Sequence, residues 1–174
     1  MNTIVYVSQY GTAKKYAQKL AAKTGFDLLN YEDVKDLKDC QTLIYIGALY
    51  AGGMLGIKKT FSKLPYDPSR KVIIAAVGLA DPTDPKNIAS IRNSLQKQLT
   101  KEIYEQASLF HLQGGIDYSQ LGFKHKTMMG LMYKKAVSLS EEKKNAEVKA
   151  MIETNNQKVD FVDLNTLNPI LEVL

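Results

Sequence analysis

The residue types able to engage a ligand are concentrated in three short segments. Ser8-Gln9-Tyr10-Gly11-Thr12-Ala13 places two hydroxyls and a glycine in a turn that opens onto a helical pattern. Such a turn aims backbone N–H groups and the positive end of the helix dipole at one spot, which is what a phosphate dianion requires. Ser8 and Thr12 add hydroxyl donors. Lys14 and Lys15 oppose the dipole in the first turn, and a bound anion would account for them. The plain alternative is an ordinary turn with a serine cap and lysines pointing to water.

The second segment is Ala48-Leu49-Tyr50-Ala51-Gly52-Gly53, read as a loop. Tyr50 can stack on a planar ring, and the paired glycines permit close backbone approach; a tyrosine packed on the rim of a turn is the alternative. The third, Gly78-Leu79-Ala80-Asp81-Pro82, offers backbone groups and one carboxylate to the polar edge of a heterocycle. Other candidates are weak. Cys40 rules out an internal disulfide and reads as structural, and His111 and His125 have no neighbouring carboxylate cluster, so no metal site is expected.

The elements that must position these segments follow from apolar periodicity. Residues 3–7 (Thr-Ile-Val-Tyr-Val) read as a buried strand, and Ala13, Ala17, Leu20 and Ala21 then share one helical face that Gly25 closes. Residues 26–29 and 42–46 are the second and third strands. Met54, Ile57, Phe61 and Leu64 recur at helical spacing up to Pro65. Residues 71–77 are apolar on both faces, as a central parallel strand must be. Asp84 and Pro85 read as an N-cap and first helical position, followed by a helix buried through Ile88, Ile91, Leu95 and Leu99. Residues 107–112 give a fifth strand.

Five strands separated by helices predict an α/β fold, a doubly wound parallel sheet of order 2-1-3-4-5. In that order ligands sit beyond the carboxyl ends of strands one, three and four, and those ends are the three segments above. The alternation breaks after the fifth strand. Gly114-Gly115 is a turn, a Met-rich helix is expected around 127–137, and Ser138-Leu139-Ser140-Glu141 reads as a capping box for a helix running to about 154. Residues 159–164 read as extended or irregular. A short helix through Leu167, Ile170, Leu171 and Leu174 completes the fold, which makes roughly 114–163 an insertion in a single domain spanning 1–174.

With 45% hydrophobic and 24% charged residues, the chain has material for a core and no case for disorder. The longest apolar run is about half a membrane span. The N-terminus enters a strand at once, without the pattern of a signal peptide, so a cytoplasmic protein is expected. The net charge of +5 favours anionic partners such as phosphate, carboxylates or an acidic lipid surface. No aromatic-basic motif supports nucleic-acid binding.

The segments from Ser8 to Ala17, Gly47 to Gly53 and Val77 to Pro82 resemble the flavodoxin superfamily. More narrowly, they are similar to the branch that includes menaquinone-dependent protoporphyrinogen IX dehydrogenases, which the Gly-Gly-Ile-Asp-Tyr run at Gly114 to Tyr118 and Met128-Met129 also resemble. The resemblance implies a flavodoxin-like fold and non-covalent FMN. Its phosphate would lie on Ser8, Gln9, Tyr10, Gly11, Thr12 and Ala13. The isoalloxazine would lie between Leu49, Tyr50, Ala51, Gly52 and Gly53 on one side and Gly78, Leu79, Ala80 and Asp81 on the other. It further implies that the Ala51-Gly52 backbone offers a carbonyl near flavin N5. Tyr10 stands where Ser or Thr is common in that family and Ala13 where Thr is expected, so two hydroxyl donors are missing.

Three functions then compete. One is an FMN-dependent oxidoreductase acting on a small-molecule redox substrate with a quinone acceptor, its basic insertion suiting substrate carboxylates or peripheral contact with an acidic membrane. Another is a soluble electron carrier, a class that is usually acidic. The third is a binding module that has lost its cofactor.

Overall fold

Strand β1 (Asn2–Val7), β2 (Asp27–Asn30), β3 (Thr42–Tyr50), β5 (Lys71–Gly78) and β6 (Ser108–Gln113) form one parallel sheet in the order β2-β1-β3-β5-β6. Counting these five parallel strands alone, this is the doubly wound 2-1-3-4-5 order of the flavodoxin-like fold. The computed structural model describes residues 1–50 and 52–174. Helices α1 (Thr12–Thr24), α2 (Ile57–Phe61), α3 (Pro85–Gln98) and α4 (Lys101–Gln106) supply the crossovers.

Alternation along the strands divides the core in two. Ile44, Ile46, Ile73, Ala75 and Val77 face α1 and the C-terminal segment, where Tyr16, Leu20, Leu167 and Ile170 are fully buried. Leu43, Tyr45, Val72, Ile74 and Ala76 face the other side, packing with Ile57, Phe61, Ile91, Leu95 and Ile103. Period-two alternation delivers apolar side chains to both faces of each central strand, so β3 and β5 are apolar throughout. Cys40 is buried in the second layer, its thiol donating to the Thr42 carbonyl at 3.2 Å. The buried Arg70 guanidinium beside it donates to the carbonyls of Cys40, Pro65 and Lys38.

Several boundaries differ from the sequence expectation. Strand β3 runs on through Ala48, Leu49 and Tyr50, then pairs antiparallel with the short β4 (Gly53–Met54), Leu49 opposite Met54 and Tyr50 opposite Gly53. The second segment is therefore a hairpin and not an open loop. Met54 consequently belongs to a strand, and the helix expected over 54–64 contracts to α2. A Cβ at Gly47 would stand 2.6 Å from the Met54 side chain, so glycine there leaves room for Met54 to pack over β3. The α3 cap is as expected, the Asp84 carboxylate accepting from the Lys86 amide at 3.0 Å. Thr100 caps α4, a helix that no apolar period announces.

The insertion is a small layer of its own. Strand β7 (Gly115–Asp117) pairs antiparallel with β8 (Lys158–Asp160), closing its base. A Cβ on Gly115 would collide with the Val159 carbonyl, so glycine is required for that pairing. Between them lie α5 (Phe123–Ser138) and α6 (Ala146–Glu153). The capping box expected at 138–141 does not form. Asn145 caps α6 instead, accepting the Val148 amide at 2.9 Å. The last helix, α7 (Asn168–Glu172), is a single short segment after a 3-10 turn over Leu164–Leu167.

Candidate functional site

At the carboxyl edge of the sheet the first turn begins α1 with Gly11 as N-cap at φ 89°. A Cβ there would meet no atom within 4 Å, so backbone conformation, and not crowding, calls for glycine. The first intrahelical bond runs from the Lys15 amide to the Gly11 carbonyl at 3.1 Å. The amides of Thr12, Ala13 and Lys14 thus have no acceptor inside the helix. Ser8 Oγ is buried and meets no hydrogen-bond partner among the described residues. Together they make a donor cluster suited to an anion. Lys15 does not require that anion, since it pairs with Asp160 of β8 at 3.5 Å on the surface.

A cleft of about 390 Å³ joins the three segments, lined among others by Gln9, Tyr10, Thr12, Leu49, Tyr50, Gly52, Gly53, Gly78 and Leu79. That volume lies within the range of small-molecule sites. Ser8, Gly11 and Ala13 belong to the same turn as Gln9 but are not among the residues that line the cleft. Ala80 and Asp81 face an adjoining cleft of about 330 Å³ on the far side of α6. Ala51, the remaining member of the set, lies outside the described residues. Helix α3 contributes Asn87, Ser90, Ile91 and Ser94 to the wall.

The insertion forms the opposite wall, and its contacts were not visible in the sequence. The Tyr10 hydroxyl donates to the Met129 thioether at 2.9 Å, and the Tyr50 hydroxyl to that of Met128 at 2.8 Å. Consecutive methionines of α5 thus reach one tyrosine from the first turn and one from the β3–β4 hairpin. Tyr10 and Leu79 also pack onto the small core of Ile116, Tyr118 and Met129. Burial raises the Tyr10 and Tyr50 phenols well above the usual tyrosine range, with Tyr50 and Tyr118 adding to the effect on Tyr10. Both phenols stay neutral, as hydrogen-bond donors must.

The third segment is more committed than its sequence suggests. Asp81 turns inward on its own loop, accepting from the Thr83 amide at 2.8 Å and hydroxyl at 2.7 Å, contacts that lower its pKa. Glu147 of α6 reaches the amides of Leu79 and Ala80, at 2.8 and 3.1 Å, one on each carboxylate oxygen. Desolvation pushes the Glu147 carboxyl above the usual carboxylate range, against the pull of the two amides. Nothing in its local sequence marks this glutamate. A signal existed only in Gly78, whose Cβ would stand 2.7 Å from a Glu147 oxygen.

Among the described residues no group of three His, Cys, Asp or Glu side chains is placed to hold a metal ion. His111 is half-buried on β6 with neither ring nitrogen hydrogen-bonded among those residues.

Comparison with known protein families agrees with the fold. Residues 3–145 match the family model of the flavodoxin domain. No curated protein matches the chain. Among solved structures it is similar to a protein described as a flavoprotein from Bacteroides uniformis ATCC 8492, at 15% identity and TM-score 0.47, covering 65% of this chain and 90% of that one. It is also similar to the Trp repressor binding protein from Bacillus subtilis, at 15% identity and TM-score 0.44, covering 66% and 83%.

Proposed function

The chain belongs to the flavodoxin domain family, and on that premise we propose that it binds FMN in the cleft at the carboxyl edge of the sheet and acts as an oxidoreductase. The observation that carries this reading is that Gln9, Tyr10 and Thr12 of the turn opening α1 line one cleft together with Tyr50 and Leu79, with the unpartnered Ser8 hydroxyl next to Gln9 in the same turn. The amides of Thr12 to Lys14 and the hydroxyls of Ser8 and Thr12 would hold the phosphate. The missing donors at Tyr10 and Ala13 leave the backbone to carry most of that contact. Tyr50 and Leu49 would flank the ring. When bound, FMN supplies the electron transfer itself, so no acid–base or nucleophilic residue is required of the protein. The α5–α6 wall contributes the apolar Met129, Met132 and Met151 to the lining of the cleft. Their thioethers adapt to flat apolar molecules.

The finer reading is an enzyme resembling protoporphyrinogen IX dehydrogenase, with a quinone acceptor. It is supported by the outer face of α5. Phe123 is 88% and Leu131 64% exposed, and Lys124, Lys126, Lys134 and Lys135 are exposed around them. No acidic residue lies between Gln120 and Leu139. An apolar stripe flanked by lysines suits a carboxylated substrate or an acidic lipid surface that stores quinones. No helix of the described residues is long and apolar enough to cross a membrane, so any such contact is peripheral.

The hold of Glu147 on the third segment favours one rival, a module that has lost its cofactor. The visible spectrum of purified protein decides between them. A flavin spectrum, or its appearance on adding FMN, is expected, followed by reduction with protoporphyrinogen and reoxidation by a quinone. Protein that neither carries nor takes up FMN is the binding module.

A further inference from the structure

The loop after β5 carries two successive amides, Leu79 and Ala80, that donate to one carboxylate, and Leu79 lines the cleft. In this structure they are not open to a ligand. The carboxylate of Glu147, 68 residues from Leu79 in sequence, spans both. We propose that Glu147 is a displaceable internal occupant of the subsite for the polar edge of the ligand's ring, and that a flavin must exchange with it to use these amides. This rests on the flavin reading above.

Four observations carry it. The geometry is bidentate, with one oxygen on each amide, as a carboxylate or a ring edge bearing two acceptors would bind. The space is matched to the carboxylate, since any side chain at position 78 would meet Glu147 and Leu49. Glu147, Val148 and Met151 of α6 line the same cleft as Tyr10 and Tyr50, so whatever fills the cleft meets this helix. Finally, Glu147 forms no ion pair with a lysine or arginine among the described residues. Its charge is held by main-chain donors alone, in a place where burial disfavours charge.

That last point makes exchange feasible. A neutral ring carbonyl can take over the amides with no buried charge, while the carboxylate returns to water and recovers its hydration. Because Glu147 lies in the first turn of α6, releasing it frees the helix from the loop, and the α5–α6 wall can then close on the ligand.

The test compares wild type, Glu147→Ala and Glu147→Gln, using two probes, FMN and riboflavin, by flavin fluorescence quenching. Riboflavin lacks the phosphate, so it isolates the ring end from any general effect of removing a negative charge. Glu147→Ala should bind both flavins about tenfold more tightly, the size expected when a charge-assisted hydrogen bond no longer has to be broken. Glu147→Gln, which keeps the size of the side chain and one carbonyl acceptor, should fall between, and it serves if the alanine variant folds poorly. Amide hydrogen exchange at Leu79 and Ala80 should quicken in the ligand-free variants and slow again with FMN. Equal riboflavin affinity in wild type and both variants, or tightening confined to FMN, overturns the exchange while leaving the flavin site intact. Unchanged exchange at the two amides overturns it as well. Failure of every form to bind either flavin instead removes the flavin reading, and this subsite with it.

Discussion

The phenol of Tyr16 donates to the carbonyl of Gln113 at 2.7 Å. The Tyr16 phenol oxygen in turn accepts from the Asp163 amide at 3.1 Å. Gln113 ends β6 and Asp163 precedes the last helical turn, so one fully buried side chain on α1 ties together both stems of the insertion. The element that walls the cleft is thereby anchored to the helix whose N-terminus would hold the phosphate. Burial raises the Tyr16 phenol above its usual range, which keeps it a donor.

Tyr16→Phe should therefore cost about 1–2 kcal/mol of stability, because a partly buried carbonyl and a partly buried amide lose their partner together. Urea unfolding measures the loss. Amide exchange should quicken over 114–117 and 158–163 and stay unchanged in β1 and β3. Uniform quickening throughout the chain would mean that the hydroxyl supports the core generally and not the insertion.

Gly11→Val should weaken FMN binding far more than Cys40→Ser. A β-branched residue at φ 89° costs about 1–2 kcal/mol in backbone strain and tilts the amides of the first turn. Cys40 is buried in the layer away from α1, where its thiol donates to the Thr42 carbonyl. Flavin fluorescence quenching on both variants gives the comparison, and matching affinities would place the phosphate elsewhere.

Tyr50 separates into a ring and a hydroxyl. If the ring stacks on the flavin, Tyr50→Ala should lower affinity by about 1–3 kcal/mol, the value of a buried aromatic face. Tyr50→Phe should keep most of that affinity while losing the hydrogen bond to Met128. Loss of affinity in Tyr50→Phe equal to that in Tyr50→Ala would show that docking of α5, and not stacking, is what the tyrosine supplies.

His111 predicts a pH dependence of stability. Desolvation, helped by the charge of Arg92, lowers its pKa below the ordinary 6.5. In the window between the lowered folded value and 6.5 the unfolded chain binds the extra proton, so stability rises with pH there and falls on acidification below about 6.5. Melting temperature measured from pH 7.5 to pH 5.5 should drop more for wild type than for His111→Phe. Parallel profiles would show that the imidazole reaches water.

The outer face of α5 gives the partner test. Replacing Lys124, Lys126, Lys134 and Lys135 with glutamine should abolish sedimentation with vesicles containing phosphatidylserine, each lysine contributing about 1 kcal/mol near such a surface. Raising the salt should imitate the change, since exposed charges are screened over about 8–10 Å at physiological ionic strength. Phe123→Ala with Leu131→Ala should weaken the same binding without changing its salt dependence. Flavin affinity should survive in the Phe123→Ala, Leu131→Ala variant and when Lys124, Lys126 and Lys134 alone are replaced, since of these residues only Lys135 lines the cleft. Wild-type protein that ignores acidic vesicles would leave the face to a carboxylated substrate, read out as a raised KM in the quadruple variant.

The amino-acid sequence by itself determined the parallel sheet, its order and the edge on which a ligand would sit. Those features are local or topological. Runs such as Lys71–Gly78 bury both faces of a strand, Asp84 and Pro85 begin a helix, and strands joined by helices must lie parallel. Gly11 was legible for the same reason, because a turn needing positive φ selects glycine. Tertiary structure alone decided how the insertion folds back. The β7–β8 pairing, the tyrosine–methionine contacts and the Glu147 carboxylate on the Leu79 and Ala80 amides join residues dozens of positions apart. Glu147 is a polar residue in the first turn of an amphipathic helix, and periodicity reports only which face of an element is apolar. Whether a polar residue on that helix meets water or a pair of buried amides depends on where the helix docks, and docking is set by surfaces drawn from the whole chain.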